Sequence, residues 1–199
     1  FSSIINAELI LLHVVESRED VESAKEKLSK DEMIGKSYSS SCTINSYVRI
    51  GNIFEDIGDT AAEIGAQIIV MGTHGKKGWQ HVTGMNALKV ITRSSVPFII
   101  VQAKTAKETG YDDIVVPLDL NKETKQKLAI VANLAKYFKS RVHVITPEET
   151  DEFLRHQVKA NIVFAKKYFA EREIEVTTTI ISGSGFDKKV VKHAVDVGA

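Results

Sequence analysis

The chain has 199 residues, with 26 basic side chains against 26 acidic ones, 43% hydrophobic residues and a single cysteine. That length holds one large domain or two small ones with ample core. Balanced charge argues against nucleic acid as the main partner, because phosphate binding needs a basic excess. Cys42 has no second cysteine to pair with, and no apolar run approaches the roughly 20 residues of a membrane span. With no signal peptide visible, the expectation is a cytoplasmic protein with no membrane partner.

The chain opens on Phe1-Ser2-Ser3 and stops at Asp196-Val197-Gly198-Ala199, where a helix should hand over to a strand, so both ends read as cut. Glu8-Leu9-Ile10-Leu11-Leu12-His13-Val14-Val15 is an apolar run suited to a buried parallel strand. Val21, Ala24 and Leu28 share one face of an amphipathic helix over 19–30, and the serines of 37–41 read as a loop. Ile44, Ser46, Val48 and Ile50 alternate with polar neighbours, as in a strand. After a turn at Gly51-Asn52, Ile53, Ile57, Ala61 and Ile64 recur at helical spacing, and Gly65 ends that helix. Glu55 and Asp56 fall in its first turn, where the helix dipole favours acidic groups.

Next comes the stretch most suggestive of chemistry. A strand over 67–71 ends in Gly72-Thr73-His74-Gly75-Lys76-Lys77-Gly78, and Gly84-Met85-Asn86 introduces a helix from about Asn86 to Arg93. Strand, glycine loop and helix N-terminus together can cradle an anion, because free N–H groups point at it and no side chain blocks its approach. The competing reading is that Gly72, Gly75 and Gly84 only serve tight turns at positive φ. Pro97-Phe98-Ile99-Ile100-Val101 is a last strand, with its proline near the start, where a ladder bond is least missed.

A polar, non-periodic linker over 103–110 separates a first domain, 1–102, from a second, 111–199. In the second, Asp113-Ile114-Val115-Val116-Pro117-Leu118-Asp119 reads as a strand, and Leu128, Val131, Leu134, Ala135 and Phe138 form a helix face. Residues 141–145 follow as a strand. Thr150 is placed to cap a helix carrying Leu154, Val158, Ile162, Ala165 and Phe169. Residues 175–181 are a strand, and Val190, Val191, Ala194 and Val195 line a last helix. Strands alternating with helices specify an α/β fold with a parallel sheet.

The halves align at a constant offset of 133 residues. Leu9-Ile10-Leu11-Leu12 falls on Val142-His143-Val144-Ile145, and Ile57, Ala61, Gly65 and Ala66 fall on Val190, Ala194, Gly198 and Ala199. An unbroken offset over this distance indicates duplication. The strand at 114–119 has no counterpart in the first half, and the glycine loop has none in the second.

"ELILLHVVE", "GNIFEDIGDTAAEIGAQIIVMGTHGKKGW" and "GMNALKVITRSSVPFIIVQ" resemble, in order and spacing, the universal stress protein family, of which "IIVMGTHG" is distinctive. "IVVPLD" at 114–119 is similar to that family's first strand. The resemblance implies a tandem protein of two parallel, five-stranded, Rossmann-like units of the adenine-nucleotide α-hydrolase-like type, each incomplete here. It implies pairing of the two halves with each other or as a homodimer, and an unidentified protein partner. It also implies an adenine nucleotide, ATP or AMP, on a G-x2-G-x9-G-[ST] loop. Gly72 and Gly75 match that pattern. Gly84 comes one residue early, and Met85 replaces the hydroxyl residue, so a phosphate donor is lost. Asn86 can supply an amide donor in partial compensation.

By resemblance the candidate nucleotide-binding residues are Val14, through its backbone, Met71, Gly72, Thr73, His74, Gly75, Gly84, Met85, Asn86 and Asp119. The last matches the family's carboxylate after the first strand. His74 reads as a loop-stabilising residue, and no catalytic or metal-ligating set is expected. The reading is a non-enzymatic signalling or protective binding module of the stress response that senses an adenine nucleotide weakly. The alternatives are a slow ATP hydrolase using the Gly72–Gly75 loop, or a protein-interaction scaffold paired through its last strand.

Overall fold

The computed structural model describes residues 7–38, 42–72, 85–101, 110–120 and 124–199. The elements run β1 (Leu9–Val15), α1 (Val21–Tyr38), β2 (Ile44–Ile50), α2 (Ile53–Glu63), β3 (Ile69–Gly72), α3 (Met85–Arg93), β4 (Phe98–Val101), β5 (Asp113–Pro117), α4 (Thr124–Phe138), β6 (Arg141–Pro147), α5 (Glu152–Ala170), β7 (Val176–Ile181) and α6 (Phe186–Val197). They divide into two compact units, Phe1–Thr105 and Ala106–Ala199. None of the described helices is long and apolar enough to cross a membrane.

In the first unit, β1 pairs in parallel with β2, Leu9 opposite Ile44 through Val15 opposite Ile50. Strand β3 pairs in parallel with β4, Ile69 opposite Phe98 through Gly72 opposite Val101. The buried apolar side chains include Val15, Leu28, Ile44, Ala61, Met71 and Val90. Helix α1 is longer than its periodicity indicates and takes in Ser37 and Tyr38, which the serine-rich reading assigned to a loop. The Ser37 hydroxyl donates to the Ile34 carbonyl at 2.7 Å, so the last turn itself satisfies it.

Helix α2 is anchored at its start. The Asn52 side chain accepts from the Phe54 N–H at 2.9 Å, and Asp56 accepts from the Asn52 N–H at 2.7 Å. Two of the N–H groups that a helix start leaves unpaired are thus satisfied. Gly51 makes this possible, because a Cβ there would lie 2.0 Å from an Asp56 carboxylate oxygen. Arg49 on β2 ties the helix down further, donating to Asp56 at 3.1 Å and to Glu63 at 2.8 Å.

The second unit is one three-stranded parallel sheet in the order β5-β6-β7, with Asp113 opposite Arg141 and His143 opposite Thr177. Alternation sorts its side chains between two faces. Val116, Val142 and Val144 point into a core shared with Leu128 of α4 and Phe169 of α5, while Asp113, Arg141 and His143 lie on the other face. Helix α6 packs against β5. The cap of α5 is Asp151, one residue later than Thr150, and its carboxylate accepts from the Leu154 N–H at 2.9 Å. Among the described residues the sheets hold two or three strands each, as incomplete units would.

Candidate functional site

Parallel sheets bind ligands beyond the carboxyl ends of their strands. In the first unit β3 ends there at Gly72, and α3 starts at Met85, one residue earlier than the sequence pattern indicates. The first turn of α3, Met85 and Asn86 included, carries the N–H groups that no intrahelical carbonyl satisfies. Thr73, His74, Gly75 and Gly84 lie outside the described residues, as do Trp79, Lys76 and Lys77.

Gly72 corrects one reading. Its φ is not positive, and among the described residues an added Cβ would meet only the Val101 side chain, at an ordinary 3.8 Å. A tight left-handed turn is therefore not the reason for glycine at this position. Met71, one residue back, is 7% exposed and belongs to the core. Val14 sits half-buried in β1 opposite Arg49, in a different hydrogen-bonded pair from Gly72. Asp119 belongs to the second unit, past the end of β5, where its main-chain carbonyl accepts from the Asn161 side chain at 3.4 Å. Among the described residues no group of three or more His, Cys, Asp or Glu is placed to hold a metal ion.

The second unit contains a polar constellation that reading along the chain missed. Strand register builds it. Asp113 opens β5 opposite Arg141, and His143 stands two residues further along β6 on the same face, opposite Thr177. Asp113 is 6% exposed at its side chain and accepts from Arg141 at 3.0 and 3.2 Å. It also lies 2.8 Å from His143 Nε2. A carboxylate only accepts, so Nε2 carries the hydrogen, and Nδ1 of the neutral ring then accepts from the Thr177 hydroxyl at 2.9 Å. The hydrogen bond from His143 holds the Asp113 carboxyl below its ordinary range against the opposing effect of burial, and the Arg141 guanidinium adds to the lowering. The one signal in the sequence was the i, i+2 placement of Arg141 and His143 in a strand, with a carboxylate opening the strand before it.

A cavity of about 250 Å³ lined by Lys136, Lys139, Arg141, Arg172 and Glu173, among others, lies where β6 begins and α5 ends. That is the amino end of the strands, away from the edge where parallel sheets receive ligands.

With this geometry in view, the decisive comparison is with protein families, and residues 4–102 match the universal stress protein family. Residues 4–102 form a universal stress protein domain. Over 59 residues the chain is 30% identical to universal stress protein G of Shigella flexneri, and equally to that of Escherichia coli O157:H7. The matched stretch is 30% of this chain and 42% of each relative, so the chain spans less than half the length of the curated relatives it matches. A universal stress protein from Archaeoglobus fulgidus DSM 4304 superposes with a TM-score of 0.72 at 18% identity, covering 97% of this chain and 71% of that chain. A protein of unknown function from Pseudomonas aeruginosa PAO1 superposes with a TM-score of 0.65 at 15% identity, covering 100% of this chain and 71% of that one. At such identities the likeness is one of fold, the α/β Rossmann-like fold of universal stress proteins.

Proposed function

We propose that the chain is a tandem universal stress protein that acts as a non-enzymatic binding module in the stress response, with an adenine nucleotide as the ligand of its first-unit loop. The observation that carries the ligand reading is Gly72. It ends β3 exposed, its φ is not positive, and among the described residues a Cβ there would have room, so nothing described demands glycine at this position. A bare backbone at the carboxyl end of β3, where the glycine-rich sequence begins, then serves close approach of a phosphate group. The first turn of α3, at Met85, supplies N–H donors beyond it.

The tandem part draws support from helix ends. Adding the offset of 133 to Ile53, the first residue of α2, gives Phe186, the first residue of α6. Gly65 and Gly198 both close their helices at positive φ, 69° and 77°. The Ala66 N–H bonds the Ala61 carbonyl at 2.8 Å, and the Ala199 N–H bonds the Ala194 carbonyl at 2.9 Å. This is the same left-handed glycine ending, made by residues at the same offset.

Occupancy is the weak point of the site. The early Gly84 shortens the loop by one residue, and Met85 supplies no hydroxyl. ATP therefore binds weakly or not at all. Calorimetric titration of the full chain with ATP checks this, and tight stoichiometric binding would show that the altered helix side does not matter. A scaffold role is favoured by one observation: Ile100 and Val101 of β4 are 37% and 38% exposed, which suits pairing with another copy. Mass measurement in solution separates the two readings, since a scaffold of this kind assembles without nucleotide.

A further inference from the structure

The cavity at the start of β6 brings together charges of both signs. Lys136, Lys139, Arg141 and Arg172 line it, and so do Glu173 and Glu175. Arg141 is paired with Asp113, and among the described residues the other five make no ion pair. Opposite charges thus border a space of about 250 Å³ without neutralising one another. The floor between them is apolar and buried, with Ala135 1% and Ile174 7% exposed.

The two guanidinium groups are held in place. Arg141 uses Nε and Nη2 on the buried Asp113 carboxylate, which leaves Nη1. Arg172 lies 3.6 Å from the centre of the Tyr168 ring and donates from Nη1 to the Tyr168 carbonyl at 2.8 Å, which leaves Nε and Nη2. Planar donors fixed in this way suit a carboxylate. On the acidic side, α4 and α5 both end at this cavity, at Phe138 and Ala170. Their last carbonyls carry partial negative charge, which together with Glu173 and Glu175 suits an ammonium group.

The helix endings mark the same place. Four helices close in one left-handed motif, with an N–H bonded five residues back: Ala66 to Ala61, Ser140 to Ala135, Ile174 to Phe169 and Ala199 to Ala194. Helices α2 and α6 put glycine at the left-handed position, Gly65 and Gly198. Helices α4 and α5 put Lys139 there at φ 55° and Glu173 at φ 59°. A Cβ is disfavoured in that region, and glycine closes a helix without the strain. The strain is kept at two positions, and each delivers one charge, a cation and an anion, to the same cavity.

We propose that this cavity binds a free α-amino acid as its zwitterion, the carboxylate among the basic groups and the ammonium beside Glu173, Glu175 and the helix ends. A plain anion would face both glutamates, and a plain cation the four basic groups. The volume and the apolar floor select a small aliphatic side chain. The cavity belongs wholly to the second unit and is independent of the nucleotide reading of Gly72.

Titration of the full chain with L-alanine at about pH 7, followed by amide NMR, tests this. Saturable shifts are expected at residues 135–141 and 172–175. Propionate lacks the ammonium and alaninamide lacks the carboxylate, so each is expected to bind at least about tenfold more weakly, one charged contact being lost. Lys139→Gly and Glu173→Gly each remove a charge and relieve a left-handed side chain. Both should weaken L-alanine binding at least about tenfold while raising the denaturation midpoint of the second unit, a coupling that a purely helix-closing residue would not show. Glu173→Gln, which keeps the side-chain stem, should show the same loss of binding. No saturable shift with L-alanine overturns the proposal. So does propionate or alaninamide binding as tightly as L-alanine, or any of the three variants keeping full affinity.

Discussion

Helix α2 starts at a side-chain cap from Asn52, is tied to β2 through Arg49, and buries Gly58, Thr60 and Ala61. Helix α6, which follows β7 in the second unit, starts at Gly185 with φ 74°, has no side-chain cap and buries nothing. The two helices close in the same left-handed glycine ending, so the divergence lies in what holds each one to its sheet. For α2 that is a cap and packing. For α6 it is a half-buried stripe containing a histidine, over a sheet face that carries an Asp–His–Arg cluster. One α/β framework thus accommodates a helix fixed by a cap and buried packing and a helix seated along a half-buried stripe. The opposite face of the second sheet, packed on Phe169 and Leu128, makes the difference tolerable because that core does not involve α6.

The largest effect is expected from that core. Phe169 is 0% exposed, and Phe169→Ala should destabilise the second unit by about 3–5 kcal/mol, read from urea denaturation followed by β6 amide exchange. A loss below about 1 kcal/mol would mean that α6 and its face carry the unit after all. Next comes Asp113→Asn, expected to cost about 1–2 kcal/mol at neutral pH through the lost charge-assisted bonds to Arg141 and His143. The Asp113 carboxyl is held below its ordinary range in the folded state, so its stabilisation is present above about pH 4. That stabilisation disappears as pH falls through the lower folded value. The variant should therefore lose less stability than the wild type across that acid limb, and parallel acid-unfolding curves would remove Asp113 from the account.

Two smaller effects address the helix starts. Gly185→Ala places a Cβ at positive φ and should cost about 1 kcal/mol, visible as a lower denaturation midpoint for the second unit. Asn52→Ala should cost about 1 kcal/mol in the first unit, and Asn52→Gly only a few tenths, since glycine is tolerated where a helix begins. If Asn52→Gly costs as much as Asn52→Ala, the Asn52 side chain does more than cap, and the contrast between α2 and α6 sharpens.

Much of the fold was legible because it rests on local patterns. The run from Leu9 to Val15, the helical spacing of Ile53, Ile57 and Ala61, and Gly65 as a stop all depend on neighbours within a few residues. Local competition limited the rest. Ser37 is a loop former until its hydroxyl finds the Ile34 carbonyl. Thr150 and Asp151 are both good caps, and the choice between them depends on which oxygen reaches the Leu154 N–H. In the candidate site the strand–loop–helix order was legible, but the meaning of Gly72 was not, because a glycine looks alike in sequence whether a turn or a ligand requires it.

The amino acids by themselves determined the alternating α/β order and the universal stress protein character of residues 4–102, because periodicity and glycine spacing are properties of short stretches. Tertiary structure alone decided that Asp113, His143 and Thr177, separated by 30 and 34 residues along the chain, meet on one sheet face beneath His193. The reason is register. A shift of one residue between β5 and β6 would turn these polar groups to the opposite face, and no single strand carries the information that sets its alignment to the next.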